Sequence, residues 1–162
     1  MKRSVLTCAM AAVWFCLAGS AGASNPFGQF VEGYPVEPFV TMSIASGELD
    51  LGEVSNPGIN SLAGRLTAHI VANCPHRVEA SFTPFIRRGG GGTIPAEDTS
   101  VRINGVSVPI TGHGVPIVSS VEPTPAGGVD VPIDLEVTVG SVWQYPAGAY
   151  TGTLVLTIMA GF

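Results

Sequence analysis

Lysine is nearly missing from this chain: one residue, at position 2, among 162. Charge of either sign is sparse at 12% of residues, and the formal net charge of −5 is acidic. Recognition of nucleic acid rests on a basic stripe facing phosphates, so this composition excludes that class of partner. Cysteine is scarce as well, with three residues. No uncharged run after residue 23 is long enough to span a bilayer as a helix. Gly (21) and Pro (13) interrupt nearly every apolar stretch, which argues against a helical bundle. What is present is 46% hydrophobic residues in a chain of single-domain length, enough for a real core.

The first 23 residues read as a secretory signal. Lys2 and Arg3 form a positive start, residues 4–18 are almost continuously apolar, and Ala21-Gly22-Ala23 supplies the small residues a signal peptidase needs. Cleavage is expected between Ala23 and Ser24, which places the protein outside the cytoplasm with no membrane span left. The ledger then changes: five arginines stand against twelve acids for a net charge of −7, and of the three cysteines only Cys74 remains. A single thiol in an oxidising compartment cannot staple its own chain. It is either a small buried hydrophobe or a link between molecules.

Period-2 alternation runs through the rest. Residues 39–44 place Val40, Met42 and Ile44 on one face, and a short strand at residues 48–54 precedes the Asn56-Pro57-Gly58 turn. Residues 65–74 align Leu66, Ala68, Ile70, Ala72 and Cys74. After Pro75, residues 76–85 resume with Val78, Ala80 and Phe82 inward. Arg87-Arg88 followed by four glycines is a flexible loop. Asn104-Gly105 between Val101-Arg102-Ile103 and Val106-Ser107-Val108 signals a tight hairpin. Residues 115–121 form a further strand. Val129, Val131, Ile133, Leu135, Val137 and Val139 alternate with polar residues, although Pro132 fits only an edge, a bulge or a position whose amide side has no partner. The last strand alternates Tyr150, Gly152, Leu154, Leu156 and Ile158 with a Thr-rich face. Seven or eight such strands predict an all-β, immunoglobulin-like Greek-key sandwich over residues 39–162, preceded by a loosely ordered arm at 24–38; a closed barrel is the other architecture with this grammar.

Chemistry-bearing residues are few. His69, Cys74 and His76 lie close in sequence, but His69 falls on the strand face opposite Cys74, and zinc needs three or four convergent ligands. His113 sits between two glycines with no nucleophile elbow or metal-binding His pair near it. Asp130, Asp134 and Glu136 form an outward acidic stripe, the pattern of a solvated sheet face more than of a desolvated carboxylate pair. Arg87 and Arg88 make a basic tip, and Trp143 with Tyr145 is either an exposed aromatic pair or a core plug. No catalytic, cofactor or metal set is expected.

The run from Tyr145-Pro146-Ala147-Gly148 through Tyr150-Thr151-Gly152-Thr153-Leu154 resembles the ending of secreted pilin-type and spore-coat-U-type subunits. Leu49-Asp50-Leu51-Gly52-Glu53-Val54 is similar to the segment after their first strand, and Ala72-Asn73-Cys74-Pro75 to their second-strand Cys. Two features differ: residues 39–46 contain no partner cysteine, and Met159-Ala160-Gly161-Phe162 lacks the penultimate Tyr of chaperone-usher pilins. The resemblance implies an incomplete sandwich whose groove accepts a strand from a chaperone or a neighbouring subunit, with a periplasmic chaperone and outer-membrane usher as associated partners. Phe39, Val40, Met42 and Ile44 are the better candidate donor strand, and residues 27–36, interrupted by Gly28, Gly33 and Pro35, are the other; if residues 39–44 pair within their own chain instead, a complete, monomeric sandwich is expected. The expected function is a non-enzymatic, exported structural subunit of a pilus-like or coat-like assembly. The rival is a monomeric secreted module that binds a carbohydrate or cell-surface ligand through its loops.

Overall fold

Ile133, Leu135, Val137 and Val139 are buried to 1% exposure or less, while Asp130, Pro132 and Glu136 between and before them face solvent. Alternation of this kind needs a second sheet to cover the apolar side. The computed structural model describes residues 36–54, 58–161 and, as backbone, 4–10. Most of the leader and of the arm at 24–38, with the expected cleavage point, lies outside the described residues.

The elements are strands β1 (Ser4–Met10), β2 (Val40–Ile44), β3 (Glu48–Val54), β4 (Asn60–Ala72), β5 (His76–Phe82), β6 (Phe85–Arg87), β7 (Thr93–Ile94), β8 (Thr99–Ile103), β9 (Val106–Val108), β10 (Val115–Ser120), β11 (Val129–Val139) and β12 (Tyr150–Ala160), with two single turns of 3-10 helix. One sheet runs β2-β4-β11-β8-β9; the other runs β10-β5-β12-β1-β3, with β6 and β7 continuing from β12. No helix among the described residues is long and apolar enough to cross a membrane. The protein is an all-β sandwich. Its strand order follows the immunoglobulin pattern, in which β2, β4, β11 and β8 stand as A, B, E and D, and β5 and β12 as C and F. Among the described residues twelve strands stand where seven or eight are expected, because Thr83-Pro84 splits off β6, the short β7 pairs with it, and residues 4–10 add β1.

The core lies between the sheets. Phe82, Phe85, Tyr150 and Leu154 come from one side, and Ile70, Ile103, Ile133 and Leu135 from the other. Each fully buried aliphatic or aromatic side chain contributes about 1.5–3 kcal/mol relative to exposure. Phe82 and Phe85 pack with ring centroids 5.3 Å apart and planes tilted by 55°. Gly152, also buried, lies beneath these rings: a β-carbon there would sit 2.7 Å from the Phe82 ring and 3.1 Å from that of Phe85.

Turn chemistry matches the sequence closely. Asn104 (φ 50) and Gly105 (φ 80) both take positive φ in the β8–β9 hairpin, as a two-residue turn matched to strand twist requires. Asn104 also accepts from the Asp134 amide at 2.9 Å and donates to the Pro132 carbonyl at 3.4 Å. The β8 ladder along β11 covers Leu135 to Val139 and stops short of Pro132. Pro132 therefore faces its missing amide toward a stretch without a strand partner, while its other edge pairs with Thr67 of β4.

Two expectations change. Val129 is 40% exposed at the start of β11 and does not join the core. Strand β4 ends at Ala72, so Cys74 is not on its inward face; Asn73 stops the strand by bonding β2's lead-in, accepting from the Phe39 amide at 2.6 Å and donating to the Glu37 carbonyl at 2.9 Å. We expect Gly152→Val to lower stability by about 1–3 kcal/mol, because both ring and strand must shift. Urea unfolding measures this; a change within about 0.5 kcal/mol would show that the rings yield freely.

Candidate functional site

Strand β12 is held on one edge by β5, in the register Leu154 with Phe82 through Ala160 with His76, and by β6 at Tyr150 and Thr151. Its other edge pairs with β1, which runs parallel to it from Leu6 opposite Tyr150 to Met10 opposite Leu154. On its far side β1 runs antiparallel to β3, with Ser4 opposite Val54 and Ala9 opposite Glu48. Among the described residues β3 pairs with β1 alone. The site is therefore a slot one strand wide between β12 and β3. In the immunoglobulin order it is the position of strand G beside F. Take β1 away and two edges face each other roughly 9–10 Å apart, each with a row of unpaired amides and carbonyls.

Strand β3 is built as a wall for this slot. Its Leu51 is buried, and Leu49 and Leu51 both lie against Gly64 of β4, which ties the strand to the opposite sheet through side chains. Leu51 is the extra residue of a bulge: the register passes from Leu6–Gly52 to Thr7–Asp50. Gly52 takes φ 94 there, and its amide donates to the Asp50 carboxylate at 2.9 Å. A bulge of this kind re-aims a strand without ending its pairing. Glu48 at the strand's start bonds Arg88 at 3.0 Å, so the basic tip is partly spent on holding β3.

The other wall is anchored at its first residue. Tyr150 is buried and donates to the Pro146 carbonyl at 2.7 Å. Arg87 donates to the Ala147 carbonyl at 2.9 Å, and the Tyr145 hydroxyl donates to the Asp98 carboxylate. These bonds fasten the Pro146–Gly148 turn just ahead of the point where β1 meets β12. Burial first, and then the Asp98 bond, push the Tyr145 hydroxyl up to about 12. Burial raises Tyr150 as well.

The remaining candidates are dispersed. Val40, Met42 and Ile44 pair with Ala72, Ile70 and Ala68 of β4, and Met42 is buried. The segment considered as a donor is thus a strand of its own sheet, because its apolar face completes the core over β4; Phe39, 53% exposed, stands just outside. Tyr150, Gly152, Leu154, Leu156 and Ile158 all point into the core as expected. Cys74 is a free, half-buried thiol with its sulfur 3.9 Å from the Phe39 carbonyl, and burial pushes its pKa up. His76 is buried, its Nδ1 3.1 Å from the Cys74 carbonyl, so it faces backbone and not the thiol. Among the described residues no three His, Cys, Asp or Glu side chains converge as a metal site.

Ser43, His69 and Asp130 stand directly opposite one another across β2, β4 and β11. His69 Nδ1 lies 2.7 Å from Asp130, but Nε2 is turned toward Gly128, where a β-carbon would come within 2.6 Å. The ring nitrogen that would have to serve Ser43 points elsewhere. Asp134 bonds Arg65, which holds the Asp134 carboxyl below its usual range, and Glu136 stands opposite Arg102. Each acid of the stripe thus faces a basic or imidazole side chain on a neighbouring strand, with side-chain contact at Asp130 and Asp134. His113 is exposed in its loop, and Trp143 is 75% exposed.

The resemblance implies a strand-accepting groove, but not its walls or this occupant, because the residues that fill it, Ser4–Met10, lie in the segment read as a leader. The signal available was the short strand at residues 48–54, with Leu49 and Leu51 on one face and no neighbour evident from its own pattern. No protein-family model matches the chain, and no curated protein matches it.

Tyr145 favours its neutral form when folded, so the stability it supplies is complete below about pH 10, the unfolded value, and is lost as pH rises toward 12. Denaturation midpoints across this window should fall steeply in the wild type and less steeply in Tyr145→Phe. Identical slopes would remove the Asp98 bond from the account.

Proposed function

We propose that this protein is an exported, non-enzymatic structural subunit that joins its neighbours by β-strand pairing in the slot between β12 and β3. The observation that carries the reading is the composition of that sheet. Its continuity depends on Ser4–Met10, and those residues belong to a segment with the pattern of a removable secretory signal. Once that segment is gone, both walls keep their packing but lose their shared partner. An extended strand from another molecule restores the ladders, with main-chain bonds giving affinity and alternate side chains giving register. The resemblance of the Leu49–Val54 and Tyr145–Ile158 stretches to pilin-type and spore-coat-U-type subunits supports the same reading.

The donor follows by elimination. Residues 40–44 are committed to β4, which leaves the arm at 24–38, with residues 27–36 as its apolar part. A neighbouring copy supplies it in the finished assembly, and a periplasmic chaperone would protect the slot before then. Its sequence carries Pro26, Pro35, Pro38, Gly28 and Gly33, so Phe27, Phe30, Val31 and Tyr34 are the apolar residues it offers to the pairing.

A second reading is a monomeric secreted binding module. It is favoured by the pairing of residues 40–44 within their own sheet, which completes that sheet without a neighbour, and by Trp143, an exposed aromatic side chain in the 3-10 turn beside Tyr145, between strands where ligand sites are often built.

Export residues 24–162 to the periplasm and compare them with residues 39–162, which keep β2 intact. The subunit reading expects heat-resistant multimers from the longer chain and monomers from the shorter one. A longer chain that stays monomeric at high concentration and melts with the shorter one would sink it in favour of the monomeric module.

A further inference from the structure

We propose that the leader strand is an in-chain plug: before processing, Ser4–Met10 occupies the position that a neighbour's strand takes afterwards, and the two exclude each other. This rests on the subunit reading and adds its regulation. The slot is one strand wide, and β1 already pairs with both walls, to Tyr150–Leu154 on one side and to residues 48–54 on the other. No second strand can be hydrogen-bonded there without displacing it.

Two physical terms favour the plug while it is attached. The first is strand quality. Ser4-Val5-Leu6-Thr7-Cys8-Ala9-Met10 contains no Gly, Pro or charge, so every amide can enter a ladder. The arm at 24–38 has five Gly and Pro positions in fifteen residues. The second is tethering. About 29 residues separate β1 from β2, with an extended reach of roughly 90 Å, ample to lead from one sheet to the other. An attached strand presents itself at an effective concentration in the millimolar range, above that of a donor on another dilute subunit. Cleavage after Ala23 removes both advantages together. The same cut that releases the protein from its leader therefore arms it for assembly, and an unprocessed chain is assembly-incompetent.

The test compares three purified chains refolded side by side: residues 1–162, residues 1–162 carrying Leu6→Pro, and residues 24–162. Leu6 pairs with Tyr150 and Gly52, and a proline there breaks both ladders. A fourth sample adds a synthetic lysine-tagged peptide of residues 3–11 to residues 24–162. The plug predicts a monomeric wild-type full chain melting about 5 °C or more above its Leu6→Pro variant. It also predicts that the peptide, in excess, cuts assembly of residues 24–162 at least about tenfold. Full chains that assemble as readily as residues 24–162, together with a peptide that changes neither assembly nor melting, would overturn the plug while leaving the subunit reading intact. If residues 24–162 stay monomeric yet gain thermal stability from the peptide, the subunit reading fails and the leader's fit to the slot stands.

Discussion

A β-strand must satisfy hydrogen bonds on both of its edges, and in this protein the last strand meets that demand with a segment from the opposite end of the chain. Everything around β12 is arranged for it to be an interior strand. Its inward residues Tyr150, Leu154 and Leu156 are buried, and one edge is covered by β5 and β6. The second edge is covered by β1, and through β1 alone among the described residues β3 is joined to the sheet. The cost of leaving such an edge bare is paired backbone lost to water and an exposed template for unwanted association. That constraint connects the fold to the proposed role: whatever fills the slot completes the domain.

The two sheets differ in how self-sufficient they are. In the β2-β4-β11-β8-β9 sheet the long ladder between β4 and β11 runs from Val129 opposite Ile70 to Val139 opposite Asn60. Its outer face carries the cross-strand contacts His69–Asp130 and Arg65–Asp134. Exposed pairs of this sort add little stability. The other sheet keeps its polar outer face on β12 as threonines and concentrates its anchoring at one end, where Tyr145, Tyr150 and Arg87 hold the turn before β12. Under the proposed role, that fixed entry point would give a donated strand a defined register.

Much of this was legible in the residues. The alternation at 129–139 and 150–158, the Asn104-Gly105 turn and the demand that Pro132 lack a partner on one side are all local rules, and each appears where local rules put it. The inward set Leu66, Ala68, Ile70 and Ala72 was readable for the same reason. Pairing partners were not readable, because strand neighbours are chosen by tertiary packing. Residues 39–44 looked like a free donor when only their own pattern was considered; beside β4 they are core. Cys74 looked like an inward strand residue until Asn73 was seen to end the strand. Residues 4–10 pose the sharpest ambiguity: an apolar, uncharged stretch has the pattern of a translocation signal and is equally able to form a strand.

The central claim of the proposal is that, once residues 1–23 are removed, the position beside Tyr150–Leu154 is filled by a strand from a neighbouring molecule. The most direct measurement is a high-resolution structure of residues 24–162 in their assembled form. The account predicts an extended segment of a neighbouring copy between β12 and β3, hydrogen-bonded to both. A structure in which β3 closes directly onto β12 within one chain, or in which the chain's own arm fills the position, would contradict it.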